Sequence, residues 1–225
     1  MLKREVVMFD YPQLATELYA AVLSDVLDDL GLRRQAMKPF VRPLDETSVL
    51  TGRARTGRFV PDAEIREGEN PYEIEMALMD DLKPGDVPVL ACDGPTDVIA
   101  PWGELLTTAC IARGAGGCVT DGLVRDVRQI RELRFPVFHG GIGPLDTKGR
   151  ARMVEMDGEV VCGGVTVRTG DIVFADVDGV VVLPYENAVE AVDLARAKVA
   201  REDGTRDALR QGRLLREVYA EFGVL

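Results

Sequence analysis

Histidine is nearly absent from this chain: among 225 residues there is one, His139. No two-histidine or three-histidine metal site can be assembled within one chain, and a Cys–His nucleophilic pair would have to use that single imidazole with no local motif to support it. Cysteine is sparse too. Cys92, Cys110, Cys118 and Cys162 form no C-x-x-C pair and lie in apolar or glycine-rich surroundings, so they read as small buried hydrophobes of a reducing compartment. Long apolar runs are missing, since no stretch approaches the ~18 residues of a membrane span. The opening MLKREVVMFD also lacks the apolar stretch of a signal peptide. These absences predict a cytoplasmic protein with no membrane partner. Positive charge is in short supply, with 27 Lys+Arg against 38 Asp+Glu and a net charge of -11. The densest basic stretch, residues 125–134, interleaves Asp126 and Glu132 at spacings that suit an exposed helix face, so nucleic acid is not an expected partner. What remains for chemistry is carboxylates, arginines, backbone amides and a hard metal ion.

What is present describes an ordinary soluble globule, 46% hydrophobic and 29% charged. Nothing in the chain looks like a linker, so residues 1–225 are expected to form one α/β domain. A chain of this length buries roughly 70% of its unfolded surface and needs neither disulfides nor metal to fold. Apolar positions Leu14, Leu18, Ala21, Val22, Val26 and Leu27 mark a helix over residues 12–31, ending at Gly31. Residues 49–60 read as a strand and 70–83 as a helix with Pro71 just inside its start. A turn at Pro84-Gly85 then leads into a short apolar strand. The middle alternates: strand 98–101, helix 103–114 closed by Gly114, strand 117–120, helix 125–133, strand 136–138. This β-α-β-α-β pattern predicts parallel strands with crossover helices. Short antiparallel strands follow, with Asp178-Gly179 at a hairpin tip, and two helices over 186–201 and 204–220 end the chain.

The glycine-rich segments do not make phosphate loops. GAGGCV (114–119) has the wrong spacing and precedes a strand, and GGIGP (140–144) runs into Pro144 and Asp146 instead of a helix start. A methyl-donor or nucleotide site of the doubly wound kind therefore has no support. Two strand-to-helix junctions are more informative. At Pro101-Trp102-Gly103-Glu104-Leu105-Leu106 a strand ends and the free amides of a new helix follow, a setting that binds carboxylates. At Asp121-Gly122-Leu123-Val124-Arg125-Asp126 the next strand ends among carboxylates and an arginine. In a parallel α/β sheet both junctions fall on one edge, where ligands bind. Carboxylate oxygens there suit Mg²⁺ or Mn²⁺, and an adjacent arginine can hold a substrate carboxylate. Each carboxylate also has a bland reading, as a favourable charge at a helix start or part of an ordinary turn. Asp176 and Asp178 read as hairpin-turn residues, and His139 as a structural or loop residue.

The run GELLTTACIARGAGGCVTDGLVRDVRQIRELRFPVF, followed by GPLDTKGR and VVCGGVTVRTGDIVFADVDGVVVLP, resembles a known family. It is similar to the 4-hydroxy-4-methyl-2-oxoglutarate / 4-carboxy-4-hydroxy-2-oxoadipate aldolases, grouped with the regulator of ribonuclease activity A (RraA) proteins. The likeness covers roughly residues 15–212, and its most specific part is the spacing from Gly103 to Arg125-Asp126. The resemblance implies an RraA-like domain of α/β/β/α layers, similar to the swivelling phosphohistidine domains, and a homotrimer or homohexamer with sites between subunits. It implies a Mg²⁺- or Mn²⁺-dependent pyruvate aldolase acting on a small keto acid through a pyruvate enolate, with oxaloacetate decarboxylation alongside. Asp126 would then lie nearest the metal, Glu104 would hold metal-bound water, and Arg125 would contact the keto-acid end. Gly103 and the amides of Leu105 and Leu106 would receive the pyruvyl carboxylate. A neighbouring subunit would contribute Glu202 through water, with Asp203 the next match. Where many members carry Asp at the Glu104 position, this chain carries Glu. The same likeness leaves two other readings open: a non-enzymatic regulator that binds a ribonuclease, and another metal-dependent lyase or hydratase on sugar-derived keto acids.

Overall fold

The structure is a computed structural model that describes residues 9–224; most of the opening decapeptide lies outside the described residues. The first predicted helix is two. α1 (Tyr11–Glu17) starts on Asp10, whose carboxylate accepts the Gln13 amide at 3.0 Å, and α2 (Ala20–Asp29) follows after an extended Leu18-Tyr19 step. The break keeps the apolar stripe on one side while turning the chain. Gly31, at φ 81°, supplies the left-handed residue after α2.

β1 (Arg42–Pro43) is short, and β2 (Leu50–Pro61) is the long central strand. α3 (Glu73–Asp81) begins after Tyr72, so Pro71 stands just before the helix and not inside it. β3 (Asp86–Cys92) is buried along its whole length. α4 (Glu104–Arg113) is closed by Gly114 in the left-handed region, as the sequence predicts. β4 (Cys118–Thr120), β5 (Leu123–Val124), α5 (Val127–Leu133), β6 (Val137–His139) and β7 (Gly141–Ile142) follow. The parallel core is therefore β3-α4-β4-α5-β6, with β3 the first strand of the alternation. Residues 98–101, predicted as that strand, instead form an extended strap beside β5. The Leu123 amide bonds Ile99 O at 2.9 Å and the Ala100 amide bonds Leu145 O at 2.8 Å. Pro101 has no N–H for a second ladder, which suits an edge strap better than a central strand.

β8 (Ala151–Met156) pairs antiparallel with β2 across a register shift at Arg58/Phe59. β9 (Glu159–Cys162) and β10 (Val165–Arg168) form a hairpin with Gly163 and Gly164 at its tip, both at positive φ, as a tight primed turn requires. β11 (Ile172–Asp176) and β12 (Gly179–Leu183) make a second hairpin around Val177-Asp178. The main sheet runs β1-β6-β4-β3-β2-β11-β12, with β8 on β2. Its two ends come together through residues 35–43: Met37 and Val182 amides exchange bonds between that segment and β12, while β1 pairs with β6. The curled sheet encloses one apolar core, to which the β9–β10 hairpin adds Val160, Cys162, Val165 and Val167.

Helices cover the outside in two groups. α3, α4 and α5 pack Leu78, Met79, Cys110 and Ile130 on β3 and its neighbours. α1, α2 and α6 (Ala188–Arg210) pack on Ile172, Phe174, Val181 and Leu183. This arrangement is the expected α/β/β/α layering. The chain's last predicted helices are divided differently. α6 runs unbroken through Gly204, and α7 (Leu215–Phe222) lies back on it with the Phe222 ring at Gly204.

Candidate functional site

The α4 start is held rigidly from below. Trp102 is fully buried, donates its indole N–H to Thr107 Oγ1 at 2.9 Å, and stacks on Phe135. Thr107 in turn donates to Gly103 O at 3.0 Å. No side chain of this turn caps the helix, and first-turn amides have no intrahelical acceptor. The Glu104 amide is answered from another element: it donates to Asp126 Oδ2 at 3.1 Å. The amides of Leu105 and Leu106 stay open beside it. Leu105 itself is among the most exposed apolar side chains, at 78%.

Asp126 makes that contact from a strained position. It precedes α5 in the left-handed region (φ 57°, ψ 32°) and does not cap its own helix. Non-glycine residues rarely adopt this conformation, and Asp tolerates it better than most. The conformation aims its carboxylate at α4. Gly103 opposite is required by space: a Cβ there would stand 2.7 Å from Asp126 Oδ2. Gly103 has extended backbone (φ -153°), so proximity and not conformation is what demands glycine.

Arg125 lies between two carboxylates, with Nε 3.9 Å from Asp126 Oδ2 and Nη1 3.3 Å from Asp146 Oδ1. Glu104 is half-buried and accepts from Thr108 Oγ1 at 2.7 Å. An open cleft of about 410 Å³ fronts Arg125 and Asp126, walled by Val127, Ile142, Gly143 and Pro144. A larger cavity of about 770 Å³ lies elsewhere, by α1 and the start of β2, but its Arg53 is already bonded to Asp86 at 2.6 Å.

The structure thus brings Gly103, Glu104, Leu105, Leu106, Arg125 and Asp126 together. Among the described residues of the single chain no group of three or more His, Cys, Asp or Glu stands close enough to hold a metal, and the expected Glu202 would come from a neighbouring chain. Glu202 bonds the Tyr19 hydroxyl within its own chain, while Asp203 is exposed and paired with Arg206. Asp121, grouped with this junction by sequence, is buried and structural. It accepts the Cys92 amide at 2.9 Å and the Gly163 amide at 3.0 Å, tying the β9–β10 tip to the end of β3. Asp176 accepts the Ala20 and Asp178 amides, as a turn residue would. His139 is buried, and desolvation pulls its imidazole down to about 4. All four cysteines are free and buried, and burial pushes the Cys110 thiol up to about 12.

Three residues escaped the sequence reading. Tyr72 donates to Asp146 Oδ2 at 2.7 Å, and burial with that bond raises its hydroxyl to about 12. Glu75, one turn along α3, is only 6% exposed. Desolvation, then the nearby Asp146 charge, lifts its carboxyl to about 7. Asp146 sits in GPLDTKGR, a segment that carries part of the family resemblance but gives Asp146 no role by itself.

The chain matches the Aldolase/RraA family, described as RraA-like, over residues 20–182. It belongs to that family. A Halalkalibacterium halodurans family member named "Putative 4-hydroxy-4-methyl-2-oxoglutarate aldolase" is 29% identical over 200 residues, 88% of each chain. Protein DlpA of Legionella pneumophila is 29% identical over 204 residues, 90% of this chain but 32% of DlpA, so this chain spans about a third of that relative. The solved structure of Streptomyces coelicolor RraAS2, described as an unusual member of the RNase ES inhibitor RraA family, superposes with TM-score 0.75 at 30% identity. That match covers 88% of this chain and 99% of RraAS2. The Aldolase/RraA relatives thus carry both enzyme and inhibitor names.

Proposed function

We propose that this protein is a divalent-metal-dependent pyruvate aldolase that cleaves 4-hydroxy-2-oxo acids and decarboxylates oxaloacetate as a side activity. The observation that carries the reading is the α4 junction. Arg125 and Asp126 line one exposed cleft, and the Asp126 carboxylate, packed against Gly103, reaches the first amide of α4 next to the open amides of Leu105 and Leu106. A protein that only docked on a partner would have no need of the strained Asp126 or of the close approach at Gly103.

The donor set fits a hard cation. Asp126 spends Oδ2 on the Glu104 amide, which leaves Oδ1 for a cation, and the half-buried Glu104 carboxylate stands on the first turn of α4. One or two carboxylates with the remaining positions hydrated is how Mg²⁺ is commonly held. Bound there, Mg²⁺ or Mn²⁺ would supply Lewis-acid polarisation of the substrate's 2-oxo group. The substrate C1 carboxylate would lie on the Leu105 and Leu106 amides at the positive end of α4. Arg125 faces the 2-oxo oxygen, where negative charge grows as the C3–C4 bond breaks and its electron pair moves to C3. The C4 hydroxyl loses its proton as the carbonyl product leaves, and C3 takes one up to give pyruvate. Glu104, on the first turn of α4, would relay that proton. In a trimer or hexamer, a neighbouring C-terminal helix would supply a further carboxylate. Asp203, paired with Arg206, is the more exposed of the two candidates, at 63% against 17% for Glu202, which Tyr19 engages.

The test is pyruvate release from a panel of 4-hydroxy-2-oxo acids and from oxaloacetate. It is run after chelation, then with Mg²⁺ or Mn²⁺ restored. Turnover that returns with the metal supports the reading. Full turnover in excess chelator, with metal content shown to be nil by elemental analysis, rejects the metal. No turnover on any substrate with metal present leaves the inhibitor role, tested by binding to a ribonuclease.

A further inference from the structure

Arg125 has to do two things that conflict. It must keep a free edge for the substrate, and it must not collapse onto Asp126, whose remaining oxygen the cation needs. Arginine is long and flexible, and its Nε already stands 3.9 Å from Asp126 Oδ2. On the opposite side, Nη1 is 3.3 Å from Asp146 Oδ1. Asp146 is itself fixed from two further directions. Tyr72 donates to Oδ2 at 2.7 Å, and the Thr147 amide donates to Oδ1 at 2.8 Å. Tyr72 stands at the α3 N-terminus, where its own amide bonds the Asn70 side chain at 3.1 Å.

We propose that Asp146, clamped by the Tyr72 hydroxyl, is a positioning residue that holds the Arg125 guanidinium away from Asp126 and turned to the substrate. This deepens the aldolase reading and rests on it for its chemical meaning. Asp146 meets the guanidinium on its Nη1 side while Asp126 stands near Nε, so the two carboxylates flank the group and fix its plane. The clamp stays a donor at neutral pH, because the raised Tyr72 hydroxyl keeps its proton. Asp146 touches neither cation nor substrate; it acts through Arg125. The segment that carries it, between β7 and β8, is also bonded to the strap at Ala100. The clamp therefore spans α3, the strap and the α5 junction.

The experiment compares wild type with Asp146→Asn, Asp146→Glu and Tyr72→Phe by two readouts. The first is the kinetics of 4-hydroxy-2-oxo acid cleavage at varied Mg²⁺. The second is ¹⁵N relaxation of the Arg125 Nε–Hε group, assigned with Arg125→Lys. Asp146→Asn is expected to lower kcat/KM by at least tenfold and to raise the Mg²⁺ needed for half-maximal rate, as an unheld Arg125 samples positions against Asp126. Nε–Hε should gain mobility, and Asp146→Glu should recover part of both losses. Tyr72→Phe is expected to show the same pattern at smaller size, and it keeps the test available if Asp146→Asn does not fold. Unchanged Nε–Hε relaxation in folded variants overturns the proposal whatever the kinetics do. Greater mobility with unchanged kcat/KM and Mg²⁺ dependence overturns it as well. If wild type cleaves no substrate on the panel, the aldolase reading fails, and the relaxation data alone then decide whether Asp146 positions Arg125.

Discussion

At the scale of single residues, the site depends on an exchange between two positions. Asp126 accepts a left-handed backbone so that its carboxylate can answer the first amide of α4, and Gly103 gives up a side chain so that the carboxylate can arrive. Strain of this kind costs roughly 1–3 kcal/mol and persists where the surrounding structure over-determines it. Gly103→Ala is therefore expected to fold, since its backbone is extended, yet to displace Asp126. Metal affinity measured by titration calorimetry should fall at least tenfold, and unaltered affinity would refute the close-approach argument. Arg125→Lys keeps the charge and loses the planar fork, so turnover should drop by about 10²–10³ with melting temperature nearly unchanged. Wild-type cleavage of keto acids by Arg125→Lys at saturating Mg²⁺ would remove Arg125 from the site. These residues were readable in sequence because they are local: a glycine, a helix start and a carboxylate at the end of a strand. Tyr72 and Asp146 were not, because they lie 74 residues apart and the GPLDTKGR segment gives Asp146 no partner until the fold joins it to Tyr72.

At the scale of elements, short-range grammar predicted α4 and its Gly114 stop, β2 and the β11–β12 hairpin. It missed where competing signals are settled by tertiary packing. Gly204 looks like a helix break, but α6 continues through it because α7 needs the space: a Cβ at 204 would meet the Phe222 ring at 2.9 Å. The strap 98–101 is as apolar as a strand, yet β3 already fills that place in the sheet. Asp121 shows why an acidic residue at a strand end is ambiguous. From sequence it is a possible ligand; in the fold it is 5% exposed and holds two backbone amides that have no other acceptor. Leaving a buried donor unsatisfied costs about 1–3 kcal/mol. Asp121→Ala should accordingly lose about 2–4 kcal/mol in urea unfolding, reduced by relief of the buried charge, and keep its turnover per folded molecule. Loss of metal binding without loss of stability would return Asp121 to the site.

At the scale of the molecule, the sheet closes on itself through residues 35–43, with helices in two outer groups. Among these helices, α3 places a carboxylate in an apolar setting. Glu75 is buried beside Leu78 and Met79, with the Asp146 charge nearby, and both effects hold its carboxyl near pH 7 against an ordinary value of 4.5. The folded state therefore binds a proton more tightly than the unfolded chain does. Below about pH 4.5 Glu75 is protonated in both states and makes no pH-dependent contribution. As pH rises from 4.5 to 7 the unfolded chain ionises first, so stability falls, by an amount on the order of 3 kcal/mol that is fully lost above pH 7. His139 acts in the opposite sense. Its value is pulled to about 4 in the fold, so stability is lost as pH falls from 6.5 towards 4. The two slopes overlap, so a raw stability profile cannot isolate Glu75, but a difference profile can. Glu75→Gln removes only the carboxyl titration, and any penalty for burying the amide is a pH-independent offset. Subtracting the wild-type unfolding free energy from that of Glu75→Gln should give a curve that rises between pH 4.5 and 7 and is flat outside that window. A difference that stays flat from pH 4 to 8 would mean that Glu75 titrates normally, and that water or a counter-charge reaches it beneath Arg125.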